Sequence, residues 1–108
     1  MPIIKFHVPE LPSDAQALEK LRTVVHEACV EGLRAQPDAV QLMVLPGTTV
    51  LFGQPGYIEV LYRDQDYRRG EVMERFMRLL ESQTEAVFGF TPRIRCMAIQ
   101  QTLLHALN

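Results

Sequence analysis

The sequence lacks most of the patterns that announce a familiar chemistry. No glycine-rich phosphate loop is present, no serine sits in a strand-to-helix elbow, and no strand carries the aromatic signature of an RNA-binding sheet. Cysteine is scarce: Cys29 and Cys96 are the two, and both fall inside apolar-periodic segments where a thiol reads as buried. His26 and Cys29 lie three apart, but no third ligand follows at a zinc-like spacing, and His7 and His105 stand alone. No metal or other cofactor is therefore expected. Apolar runs stop well short of the ~18 residues that a membrane helix needs, and the N-terminus lacks the charged-then-apolar layout of a signal peptide. A cytoplasmic location follows as the expectation. Charge of one sign is also missing. Eleven basic and 13 acidic residues leave a net charge of −2, which gives no bulk attraction to nucleic acid or an anionic membrane.

What remains is ordinary globular material: 108 residues, 47% hydrophobic and 22% charged, predicting one domain over 1–108. Ile3-Ile4-Lys5-Phe6-His7-Val8 is β-branched and aromatic, and reads as a first strand opening directly after Pro2. A helix is expected from Ser13, with Gln16 completing a capping box and Leu18, Leu21, Val25 and Cys29 on its inner side. It should fade near Ala35, before Pro37. Ala39 to Leu45 is almost wholly apolar, as in a strand covered on both faces. Pro46 to Gly56 is a loop in which Thr48 to Phe52 has strand character, and Tyr57 to Arg63 is the third strand. A second helix is expected from a cap at Asp66 to a stop at Gly89, with Glu71–Arg75 and Glu74–Arg78 as favourable pairs. Arg93 to Gln100 is the fourth strand.

Strand-helix-strand thus occurs twice, offset by about 55 residues, as in an internal repeat of pattern. The fold class is α+β: two β-α-β units forming a four-stranded mixed sheet with both helices on one face. That arrangement leaves the other sheet face bare, and the apolar second and fourth strands need a cover. A second copy of the chain is the expected one, so a homo-oligomer is predicted. A ferredoxin-like domain has the same order of elements and is the alternative.

Met1-Pro2-Ile3-Ile4 opening a strand in a chain of this length resembles the tautomerase superfamily, the group of 4-oxalocrotonate tautomerase, 5-carboxymethyl-2-hydroxymuconate isomerase and macrophage migration inhibitory factor. Gly56 to Tyr62, followed by a long helix and a last strand, is similar to a bacterial branch of it. The resemblance implies a trimer whose sheets form a central barrel. It also implies a catalytic Pro2 that moves a proton between keto and enol forms of a small carboxylate substrate. The chemistry is sound if Met1 is removed: the ring nitrogen is then a secondary amine, and burial or a nearby arginine would make it a usable base. With Met1 attached it is an amide and has no basicity. Read without the resemblance, Met-Pro simply begins an edge strand.

A carboxylate substrate needs a cation, and an arginine fork suits both oxygens. The family's arginine just after the first strand would fall near Leu11-Pro12, where there is none. The candidates are Arg95, which interrupts an apolar strand, Arg63 at the end of the third strand, and Arg34 after the first helix. Arg95 has an ion pair with Glu59 as its structural alternative, and Arg63 a solvated strand end. Tyr57 and Tyr62 are candidate wall or proton-donor residues, and Phe52 lies where the resemblance places an apolar pocket residue. Against catalysis stands a module of the same fold that binds a ligand or a protein and does no chemistry.

Overall fold

A computed structural model describes Met1–Asn108. Its elements in chain order are β1 (Ile3–His7), α1 (Ala15–Glu27), β2 (Gln41–Leu45), β3 (Tyr57–Arg63), α2 (Glu71–Phe88) and β4 (Arg93–Ile99). One four-stranded sheet has the order β2-β1-β3-β4. Strands β1 and β2 are parallel, β3 and β4 are parallel, and the two units meet antiparallel at β1 and β3. Each β-α-β unit therefore keeps its two strands adjacent. A ferredoxin-like sheet splits them, so that alternative is set aside.

Alternation along the central strands assigns the two faces. Ile4, Phe6, Ile58, Val60 and Tyr62 are buried and meet Leu21 and Val25 of α1 and Met73, Phe76 and Leu80 of α2 in one core. Ile3, Lys5, Glu59 and Leu61 point the other way and are only half covered. The exposure of that face carries to the outer strands. Expected to be covered on both faces, β2 and β4 hold no fully buried residue in the isolated chain.

The helices differ from the expected boundaries for local reasons. Asp14, not Ser13, caps α1, its carboxylate accepting the Gln16 N–H at 2.9 Å. The helix then widens into a π turn over Ala28–Gly32, and the exit is closed by Ala35 N–H donating to Cys29 O at 3.0 Å. Arg34 takes φ of 55° to make that exit. Asp66 begins only a short 3-10 turn, Asp66–Arg68. Gly70, at φ 61° and ψ −126°, then redirects the chain into α2. That conformation is open to glycine and strained for any other residue. Gly89 ends α2 in the left-handed conformation, as its type predicts. Glu74 and Arg78 pair at 3.1 Å, whereas Glu71 and Arg75 do not form an ion pair. Thr48 to Phe52 forms no strand.

Candidate functional site

The chain's first residues are held between β2 and β3. Pro2 is fully buried, and its carbonyl accepts the Gln41 N–H at 2.9 Å. Extending the pairing of Ile3 with Leu61 sets Pro2 opposite Tyr62 and Met1 opposite Arg63. The site is therefore built where the start of β1, the start of β2 and the end of β3 come together, beneath the π turn that ends the first helical segment.

Cations collect there. Arg68 is buried at 6% exposure, yet no carboxylate pairs with it. Its Nε donates to Leu33 O at 2.7 Å and its Nη1 to Arg63 O at 3.2 Å. The Nε of Arg63 is itself buried without a hydrogen-bond partner. Arg34 is exposed, lies 4.9 Å over the Tyr67 ring, and shares that ring with Arg68 at 5.3 Å. Burial, then Arg63, then Arg68 depress the Met1 ammonium below the ordinary range of a terminal amine. Asp38 opposes them weakly. A buried guanidinium without an anion is costly unless something outside the chain supplies one. The arrangement can hold a carboxylate or an enolate oxygen beside an amine biased towards its neutral form.

Of the residues expected from the sequence, Pro2, Arg63, Tyr62 and Arg34 are brought into this one region. Tyr62 is buried, and that burial raises its pKa. Arg95 is elsewhere. It stands on the bare sheet face in register with Glu59 and Lys5, about 10 Å along the strand from the level of Pro2. It forms no ion pair with Glu59. Lys5 occupies that carboxylate at 3.8 Å, and Arg95 donates to its neighbour Ile94 O at 2.8 Å. Tyr57 is at the far end of β3, stacked on His7 with ring centroids 5.9 Å apart and donating to Glu59 at 3.3 Å. Phe52 is 98% exposed at the tip of its loop.

Arg68 and Tyr67 were not legible as site residues. A helix beginning at Asp66 would place them on a first turn, whereas the 3-10 turn before Gly70 folds Arg68 inward. Gly70 was the available signal, since a glycine four residues after the apparent cap argues against an unbroken helix. A groove of about 740 Å³ lies elsewhere, between α1 and β2, with Leu18, Leu21, Val40 and Leu42 in its lining. Its one arginine, Arg22, is already paired with Glu19 at 2.9 Å, so it lacks the free cation that the Pro2 region has.

No family model matches the sequence, and no curated protein matches it significantly. Solved structures do match over almost the whole chain. A fused 4-OT, described as an asymmetric trimer, superposes with a TM-score of 0.73 at 16% identity, over 96% of this chain and 91% of that one. A macrophage migration inhibitory factor homologue from Prochlorococcus marinus gives 0.73 at 15% identity, over 97% and 95%. Malonate semialdehyde decarboxylase gives 0.66 at 16% identity, over 98% and 91%. The chain is similar to each of these in fold, a four-stranded mixed sheet with two helices, as the resemblance led one to expect.

Proposed function

We propose that this chain, once Met1 is removed, is a tautomerase or isomerase that moves a proton between keto and enol forms of a small carboxylic acid. Pro2 is the base. The observation that carries the reading is a buried Arg68 with no carboxylate partner, bonded to the carbonyl of Arg63 at the end of β3 that lies across the strand pair from Met1 and the buried Pro2. Removing the methionine creates a secondary amine where the terminal ammonium is already disfavoured by burial and by these two arginines. Arg63 and Arg68 hold the carboxylate and stabilise the enolate oxygen that develops as Pro2 takes the α-proton. Tyr62 bounds the pocket, and Arg34 extends its cationic rim outward. Arg95, Tyr57 and Phe52 can approach Pro2 only from a second copy. The bare sheet face and the trimeric 4-OT of the same fold support a homo-oligomer, proposed to be a trimer.

A second reading has its own support. With Met1 in place the Pro2 nitrogen is an amide and Pro2 is wholly covered. That form binds an anion at the arginines and does no chemistry.

The mass of the intact protein, made without a tag at its N-terminus, separates the two. Loss of the methionine is expected, and retention removes the base and with it the catalytic reading. The processed protein is then assayed for tautomerisation of phenylenolpyruvate beside Pro2→Ala. A fall of about 100-fold or more is expected, and equal rates would rule out the proline.

A further inference from the structure

The bare sheet face divides into an apolar end and a cationic end. Towards the start of β1 it carries Ile3, Leu61 and Met97 in register. Towards the other end two rows cross the sheet: Lys5, Glu59 and Arg95 in one, His7, Tyr57 and Arg93 in the next. Glu59 is the one carboxylate on the whole face, and it is already engaged by Lys5 and by the Tyr57 hydroxyl. Arg93 and Arg95 are both exposed, and neither pairs with an acid. They stand two residues apart on the edge strand β4, and so about 7 Å apart on the same side.

We propose that Arg93 and Arg95, with Tyr57 beside them, form a second anion site that takes a small multiply charged oxyanion of the phosphate type. Two guanidinium forks at this spacing can donate to different oxygens of one tetrahedral anion. The Tyr57 hydroxyl already gives its one proton to Glu59 at 3.3 Å, so the two guanidiniums supply the donors and the tyrosine ring only bounds the site. A second copy presenting the same face would not neutralise the patch. It would bring a further Arg93 and Arg95 against one more Glu59, so the need for an external anion persists in an assembly built through this face. Within one chain the site lies on the opposite side of the sheet from the Pro2 ring.

The probe is inorganic phosphate, compared with sodium chloride at matched ionic strength, read as the thermal midpoint and by calorimetric titration. Phosphate at tenfold excess over its dissociation constant should raise the midpoint by roughly 5 °C for a chain of this size. Arg93→Gln/Arg95→Gln should abolish the shift, Arg93→Lys/Arg95→Lys should weaken it while keeping the charge, and Arg63→Gln should leave it intact. No phosphate-specific shift in the wild type overturns the proposal. So does a shift that survives in Arg93→Gln/Arg95→Gln, or one that is lost in Arg63→Gln, since phosphate would then be binding at the Pro2 cluster.

Discussion

Arg68 donates its Nε proton to the carbonyl oxygen of Leu33 at 2.7 Å, across 35 residues of sequence. This bond ties the turn before α2 to the exit of the first helical segment, and it fixes a buried cation at the end of β3 that faces the start of β1. The same guanidinium reaches Arg63 O at 3.2 Å, so one side chain satisfies two backbone acceptors from different parts of the fold. Its role is both structural and electrostatic, and the two can be measured apart.

Replacing Arg68 with methionine keeps most of the apolar stem and removes the donors and the charge. Two carbonyls lose their partner, which should lower stability by about 2 kcal/mol in urea denaturation. Binding of a carboxylate ligand should fall by at least tenfold in the same variant. A gain in stability would mean that the desolvated cation costs more than its hydrogen bonds return.

Arg34 is the one non-glycine residue before the C-terminus with a left-handed backbone, at φ 55°. An L-residue there costs about 1 to 2 kcal/mol, and glycine would relieve it. Yet the position holds an exposed arginine over Tyr67. Backbone strain retained at a cationic side chain points to a use for the charge. Arg34→Gly should therefore match or exceed the wild type in stability by up to about 1 kcal/mol, because the relieved strain is offset by lost cation–π contact and a freer unfolded chain. Its KM for an enol acid should rise with kcat little changed. An unchanged KM would remove Arg34 from the pocket.

Much of this fold was legible because the relevant signals are local. The alternation in β1 and β3, the apolar stripe of α2 and the glycine at its end each follow from a few neighbouring residues. The parallel pairing within each unit follows from the strand-helix-strand order. The placement of Arg68 did not follow, because its burial depends on a carbonyl 35 residues away and on the turn at Gly70. The surroundings of Arg95 were hidden for a related reason. An arginine in an apolar strand looks like a buried charge when both strand faces are assumed covered, but the face it occupies is bare in the single chain. The divergence between Arg34 and a plain helix end was equally hidden, since the π turn at Ala28–Gly32 follows from packing and not from any single residue.

The two thiols should respond to pH in one direction. Burial pushes Cys29 up to about 12 and Cys96 up to about 11. In the unfolded chain both ionise near their ordinary value of 9.0, so above that pH the unfolded state sheds protons that the folded state retains. The stability they contribute is full below pH 9 and is progressively lost between about 9 and 12. Chemical denaturation across that window should show the decline, and Cys29→Ala/Cys96→Ala should flatten it. At neutral pH the buried Cys29 thiol should react with a disulfide reagent only as fast as the chain opens, and the half-buried Cys96 faster.

Gly56 is where β3 begins, and it has no room for a side chain. A methyl group there would come within 2.5 Å of Phe90 Cε1, 2.7 Å of Phe90 Cζ and 2.9 Å of the His7 carbonyl oxygen. The Gly56 carbonyl also accepts the Arg93 N–H at 3.0 Å, so a shift of this residue disturbs the start of β4 as well. Gly56→Ala should cost about 2 kcal/mol, in the range of an overpacked site. Part of the clash is with a half-buried ring that can move, and part with backbone that cannot. Shortening the ring in Gly56→Ala/Phe90→Ala should therefore recover some of the loss, so that the double variant is less damaged than the sum of the singles, by about 1 kcal/mol. Strict additivity would place the whole obstruction at the His7 carbonyl and acquit Phe90.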